Sequence, residues 1–340
     1  MKVNILFNLK DGPTGGGNQF LKTLKGYLQS TSVYEENAQK ADIILFNSHQ
    51  YTDEVAKVRL EFPDKLFVHR IDGPMRLYNR MSDKRDDVVF IANKYLADAT
   101  IFQSAWSMQQ NHNLGLHPKK YETIIRNAPD PSIFNRSDKS AVLSHGKIRL
   151  IATSWSANWN KGFKTYQWLD ENLDLRKYEM TFIGESPVEF KNIRHIRALD
   201  NKSVAKKLKE SDIFIFASPV EACSNSLLEA LHCGLPALGA RGSSNGELIG
   251  RGGELFAEPE EIPHVLEKIT NRYELYQSGI QNPPLEEVSR QYYDFMSRVY
   301  QQMKPDQKGG NSFRLFDYIR VRVAILYWKF LGRICRIGKK

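Results

Sequence analysis

Short apolar runs alternate with helix-patterned segments along most of the chain. Val3 to Phe7, Asp42 to Asn47, Leu66 to Ile71, Thr100 to Gln103 and Glu122 to Arg126 predict strands. Between them, helices are predicted at residues 18–29, 53–61, 86–95 and from Ala105. A second series places strands at Lys147 to Thr153, Met180 to Ile183, Ile193 to Ile196 and Ile213 to Ala217. Its helices start after Gly162, span Asn201 to Glu210, and start again at Ser224. Alternation of this kind predicts an α/β chain with parallel, doubly wound sheets.

The two series are separated by Asn127-Ala-Pro-Asp-Pro-Ser-Ile-Phe134, whose two prolines break both helix and strand ladders. Polar, irregular sequence continues to about residue 147. A chain of 340 residues is also too long for one ordinary core. The expected organisation is a Rossmann-like domain at 1–127, a linker at 128–147 and a second Rossmann-like domain at 148–285. A Tyr- and Phe-rich helix at 286–304 follows, and then a tail at 311–340.

Strand ends at the carboxyl edge of such sheets carry ligands, so polar residues there are the candidates for chemistry. After the strand at 213–217 comes EACSNSLLEALHCGLP, from Glu221 to Pro236. Ser224, Asn225 and Ser226 open a helix and offer its unpaired N–H groups to a phosphate. Glu221 and Glu229 bracket that amide-lined turn with two carboxylates. The alternative is a capping serine with two solvated glutamates. The glycine loop containing Gly15, Gly16 and Gly17 follows the first strand, where glycine lets backbone approach a phosphate or simply serves a βα turn. His69 and Asp72 lie at the end of the third strand, as site residues or as a structural His and a turn-forming Asp. Lys161 stands at a helix start, where a cation opposes the dipole.

The stretch EACSNSLLEALHCGLPALGARGSSNGELIGRGGELF resembles the donor-binding signature of glycosyltransferase family 4, the retaining enzymes of GT-B fold. Its E-x7-E pair is Glu221 and Glu229, its Gly-x-Pro turn Gly234 to Pro236, and its Gly-rich acidic segment Gly242 to Glu247. The resemblance implies a nucleotide-diphosphate sugar as donor, with Glu221 on the hexose and Glu229 on the ribose hydroxyls. Cys223 and Glu185 fall on the donor side. Gly15, Gly16 and Gly17 fall where the family's glycine loop faces the diphosphate or the acceptor. Either His69 or Asp72 takes the place of the residue contacting sugar or acceptor. The Lys161-Gly162 pair matches the diphosphate clamp, but Ser156 stands where the family has an arginine. That second cation is then replaced by Ser156, Asn158 or backbone amides. The implied function is transfer of a hexose-type sugar to a glycan or lipid-linked acceptor, with a sugar-nucleotide epimerase or a non-catalytic scaffold of the same fold as rivals.

No D-x-D triple occurs in the sequence, so neither a metal nor another cofactor is expected. Three cysteines without metal or disulfide spacing point to a reducing compartment. The net charge of +9 is uneven, because residues 311–340 hold eight basic residues against Asp317, a net +7. A near-neutral body argues against nucleic acid as partner. In the tail, Arg322, Lys329, Arg333, Arg336 and Lys340 are spaced as one basic stripe on a helix, beyond a Gly309-Gly310 joint. With the aromatic and aliphatic residues between them, they predict an interfacial helix on an anionic membrane. An ordinary helix docked on the body is the alternative. The expected location is cytoplasmic, peripheral on the inner face of a membrane.

Overall fold

The computed structural model describes residues 1–10, 16–79, 81–139, 146–303 and 313–337. The chain forms two compact units: residues 1–9, 17–126 and 286–340 in the first, residues 10–16 and 127–285 in the second. The first contains β1 (Val3–Ile5), α1 (Gly16–Ser30), β2 (Ile43–Asn47), α2 (Thr52–Glu61), β3 (Leu66–Ile71), α3 (Met75–Tyr78), α4 (Arg85–Leu96), β4 (Ala99–Phe102), α5 (Ala105–Asn113) and β5 (Tyr121–Ile124). The second contains β6 (Ile148–Ser154), α6 (Phe163–Asn172), β7 (Tyr178–Gly184), β8 (Arg194–Ile196), α7 (Asn201–Glu210), β9 (Ile213–Phe216), α8 (Asn225–His232), β10 (Ala237–Ala240), α9 (Asn245–Ile249), β11 (Gly253–Phe256), α10 (Ile262–Asn271) and α11 (Tyr273–Ser278). The chain then returns to the first unit with α12 (Leu285–Met303) and α13 (Leu315–Ile337).

Both sheets are parallel throughout. The first keeps chain order, β1-β2-β3-β4-β5. Helices still cover both its faces. Phe46 and Phe67 pack with Val55 of α2 and Ala92 of α4, whereas Arg70, on the other side of β3, meets Phe20 of α1 and Tyr292 of α12.

The second sheet has the order β11-β10-β9-β6-β7-β8. From β6 the chain winds outward through β7 and β8, then crosses back to β9 and continues the other way. The reversal lies between β6 and β9, which pair Leu150 with Ile213 and Ile151 with Phe214. Leu150, Ile213 and Ile215 enter a core with Phe163, Tyr166 and Leu266. Their neighbours Ile151, Phe214 and Phe216 enter the opposite core with Leu208, Leu228 and Leu231. Burial of both faces explains why these strands read as continuous apolar runs.

Three expectations shift. Residues 128–139 do not hang between domains: Phe134 is buried against the α7 and α8 side of the second sheet, and the Lys139 amine donates to the Ser211 carbonyl. The sequence reading placed no element between Gly242 and Leu285, where α9, β11, α10 and α11 form. Strand β11 was hidden because only its end residues are buried. The tail helix α13 lies on α2 and α4, where Val321 and Ile325 are completely buried. The Gly309-Gly310 joint falls outside the described residues.

Candidate donor site and the polar cluster of the first unit

The topological switch point of the second sheet is where an open α/β fold leaves a crevice at the strand ends. The segments that leave β6 and β9 there carry Lys161 and Glu221. The Lys161 amine forms an ion pair with Glu221 Oε1, and both side chains are half-buried. Ser218 Oγ donates to the same carboxylate oxygen at 2.9 Å. The Lys161 turn is held close by Gly162, whose φ is +85°. A Cβ there would stand 2.2 Å from the Ala217 carbonyl oxygen, so only glycine lets the two strand ends approach.

Ser224 is the N-cap of α8, accepting from the Leu227 N–H through Oγ. That agrees with the capping alternative and also aims the first helical N–H groups, those of Asn225 and Ser226, out of the helix end. The Asn225 side chain takes a hydrogen bond from Asn127 Nδ2 and donates to the Gly16 carbonyl, both at 2.8 Å. A Cβ on Gly16 would meet Asn225 Nδ2 at 3.2 Å. Gly15 lies outside the described residues. Cys223 is buried in the core, and its Sγ accepts from the Asn127 N–H at 3.4 Å. It thereby ties the chain at Asn127 to the turn that precedes α8.

Glu229 sits one helical turn beyond Asn225 and Ser226, on the same side of α8. Among the described residues no donor reaches its carboxylate, and burial pushes it up to about 7. The side chain is half-buried, and a carboxylate partly withdrawn from water without a donor is disfavoured in its charged form. A ligand presenting hydroxyl groups would relieve that cost.

The remaining donor-side candidates are turn formers. Ser156 Oγ accepts from the Asn158 N–H at 3.2 Å, and Asn158 Oδ1 caps the short helix at Trp159–Lys161. Glu185 is exposed after β7, beside Gly184. Sequence reasoning missed Ser218, which grips Glu221, and Ser244, whose Oγ donates to the Glu221 carbonyl at 2.9 Å. It also missed Asn245, buried and bonded to the carbonyls of Ser218 and Ala240. Small polar residues have no periodicity, and only the Gly242 to Glu247 stretch hinted at the last two.

In the first unit, Asp72 Oδ1 accepts from Arg70 Nη1 at 3.0 Å and from Gln103 Nε2, while Oδ2 accepts from Asn47 Nδ2 at 3.3 Å. Burial raises the carboxyl's pKa, but Arg70 and the Gln103 amide, with Ser48 and Asn47, outweigh it and hold it below the usual carboxylate range. A Cβ on Gly17 would be 3.6 Å from Asn47 Nδ2 and 4.0 Å from Asp72 Oδ2, so the glycine helix start borders this cluster. His69 is a correction. Its ring is 0% exposed and stacked 4.2 Å from Phe46. Nε2 donates to the Ser48 carbonyl, and Nδ1 accepts from Asn93. Burial pushes it down to about 3, against the Ser48 hydrogen bond. A neutral ring with both nitrogens occupied inside the core serves the fold. Of the two strand-end candidates, only Asp72 keeps an exposed edge, with its side chain 29% accessible.

Residues 161–274 match the family model described as Glycosyl transferases group 1. No curated protein matches the chain. Among solved structures, it is similar to Anabaena HepE in complex with UDP-glucose, at 13% identity and a TM-score of 0.65 over 90% of this chain and 100% of that one. It is also similar to sucrose-phosphate synthase from Thermosynechococcus elongatus, at 10% identity and TM-score 0.64 over 90% and 98%. The catalytic domain of starch synthase IV from Arabidopsis thaliana, bound to ADP and acarbose, aligns at 13% identity and TM-score 0.60 over 85% and 79%. The fold is therefore GT-B, and the matched stretch together with that fold supports a glycosyltransferase.

Proposed function

We propose that the protein is a retaining, metal-independent transferase of glycosyltransferase family 4. It moves a hexose-type sugar from a nucleotide-diphosphate sugar to a glycan or lipid-linked acceptor on the cytoplasmic face of an anionic membrane. The observation that carries this reading is the half-buried Glu229 carboxyl, which no donor reaches among the described residues, one turn beyond the amide end of α8. Its ligand needs adjacent hydroxyls, as on ribose, and an anionic group next to them for the N–H groups of Asn225 and Ser226 and for Lys161. The diphosphate of a sugar nucleotide is that anion.

In this reading the negative charge that grows on the departing diphosphate falls on Lys161 and the α8 amides, the groups that stabilise it as the sugar becomes oxocarbenium-like. Lys161 leaves Glu221 for the diphosphate, and Glu221, still bonded to Ser218, turns to the hexose. Asp72, held by Arg70, Gln103 and Asn47, is the acceptor-side carboxylate. Charge supplied by Lys161 and amides leaves no step that requires a metal. HepE was solved with UDP and with UDP-glucose, so UDP-sugars are the first donors to test.

The test is incubation with a panel of nucleotide sugars, with and without glycan and lipid acceptors, scoring nucleoside diphosphate release and the anomeric configuration of the product. Release that depends on acceptor, proceeds in chelator and retains configuration is expected. Conversion of the donor sugar without nucleotide release would instead identify an epimerase, and binding without either reaction a scaffold.

A further inference from the structure

Helix α13 reverses the facing that its sequence suggests. Two members of its basic stripe, Arg322 and Lys329, turn toward the protein, where Arg322 Nε is 3.3 Å and Lys329 Nζ 2.6 Å from the Asp53 carboxylate of α2. Val321 and Ile325 are fully buried under α13, and Trp328 packs on the same core, with the Lys84 amine over its ring. Outward stand Phe316, Ile319, Val323, Leu326, Tyr327 and Phe330, each at least half exposed. Steps of three and four place them on one side of the helix, along about 20 Å at 1.5 Å per residue. The exposed Arg320 borders the stripe, its guanidinium over the Tyr95 ring.

An apolar stripe of this size on a protein surface marks a partner, and charge decides which one. Residues 311–340 carry eight basic residues against Asp317, and counting Asp53, which holds Arg322 and Lys329, still leaves eight against two, a net +6, so bringing this helix against that of a second copy sets like charges together. An anionic lipid surface is complementary to it. Among the described residues no helix is long and apolar enough to cross a membrane. The helix therefore lies in the interface plane, not across it. We infer that α13 is the membrane-seating element and enters an anionic bilayer apolar face first, with Phe316, Ile319, Val323, Tyr327 and Phe330 below the headgroups and Arg320 at phosphate level. This rests on the membrane part of the proposed function and adds the face, the residues and a hydrophobic rather than purely electrostatic bond. Arg322 and Lys329 serve to fasten the helix to Asp53.

Deleting the tail would strip Val321 and Ile325 from the core, so the test uses the full chain with substitutions at exposed positions. Wild type, the triple variant F316E/V323E/F330E and R320E are sedimented with phosphatidylcholine vesicles and with phosphatidylcholine–phosphatidylglycerol vesicles, at low and high salt. Thermal melting without lipid checks the fold. The expected result is wild-type pelleting with anionic vesicles that persists in part at high salt. The triple variant should lose at least tenfold in vesicle affinity with its melting unchanged, and R320E should lose severalfold at low salt only. Equal pelleting of wild type and triple variant, or complete release of wild type by salt, would overturn the apolar-face assignment while leaving membrane binding standing. No pelleting of wild type would overturn both. A lipid-free dimer that the triple variant dissociates would assign the stripe to self-association and sink the inference.

Discussion

Lys161 and Glu221, 60 residues apart in the chain, form an ion pair that spans the point where the second sheet reverses its winding. Each leaves a different central strand, so the pair exists only because β6 and β9 are neighbours. In the proposed function this pair holds the Lys161 charge neutralised until a donor diphosphate competes for it.

Separating the partners tests that arrangement. Lys161→Ala should weaken nucleoside diphosphate binding by roughly 10–100-fold, the worth of a charged hydrogen bond at about 1.5–3 kcal/mol. Glu221→Gln should leave diphosphate affinity unchanged or improved, because Lys161 is freed, while turnover falls. Calorimetric titration with UDP and steady-state kinetics read the two effects. Unchanged affinity in Lys161→Ala would remove the clamp from the mechanism.

Glu229 makes ligand binding and stability respond to pH in opposite ways. Its folded carboxyl titrates near 7, raised by burial from 4.5, so between those values the folded state holds a proton that the unfolded state has lost. Stability of the free protein from this group therefore falls as pH rises from about 4.5 to 7, by linkage. Hydroxyl donors favour the carboxylate, so nucleotide binding below pH 7 should release a proton and tighten as pH rises. Glu229→Gln should raise the melting temperature of the free protein at pH 8 by a few degrees, corresponding to on the order of 1 kcal/mol, and abolish proton release. Melting curves and titrations in buffers of different ionisation enthalpy measure both. An unaltered proton count in the variant would contradict the ribose role.

His69 and Asp72 should separate stability from turnover. His69→Leu leaves the Ser48 carbonyl and the Asn93 amide unpaired and should cost about 1–3 kcal/mol, with turnover per folded molecule retained. Burial lowers His69 to about 3, and burial with the charge of Arg85 lowers His49 to about 4. The unfolded chain thus binds more protons than the folded one below about pH 6.5, and wild-type stability should decline with acid from there. His69→Leu should flatten that decline. Asp72→Asn should instead depress turnover, and should also destabilise, because it leaves the fully buried Arg70 without its counter-charge. Urea titrations across pH, paired with kinetics, distinguish the two residues. Loss of turnover in folded His69→Leu would restore it to the site.

The chain's own pattern determined the alternation of strands and helices up to about residue 240 and the parallel character of both sheets. A strand buried on both faces must be apolar at every position, and Leu66–Ile71 and Ile213–Phe216 show that signal without any partner in view. The cap at Ser224 and the Gly234 turn were legible for the same local reason, because a helix end needs a cap and a turn needs its glycine, whereas the pairing of Glu221 with Glu229 came from the family resemblance alone. Tertiary structure alone decided which side chains converge. His69 and Asp72, three positions apart on one strand end, differ only in that one faces the packed helices and the other the strand-end network. Lys161 meets Glu221 through strand order, which no local pattern encodes. The tail shows the limit most clearly. Its spacing placed Arg322 and Lys329 on one stripe, but which stripe faces water depended on Asp53, which holds both cations, and on α2 and α4, against which Val321 and Ile325 are buried.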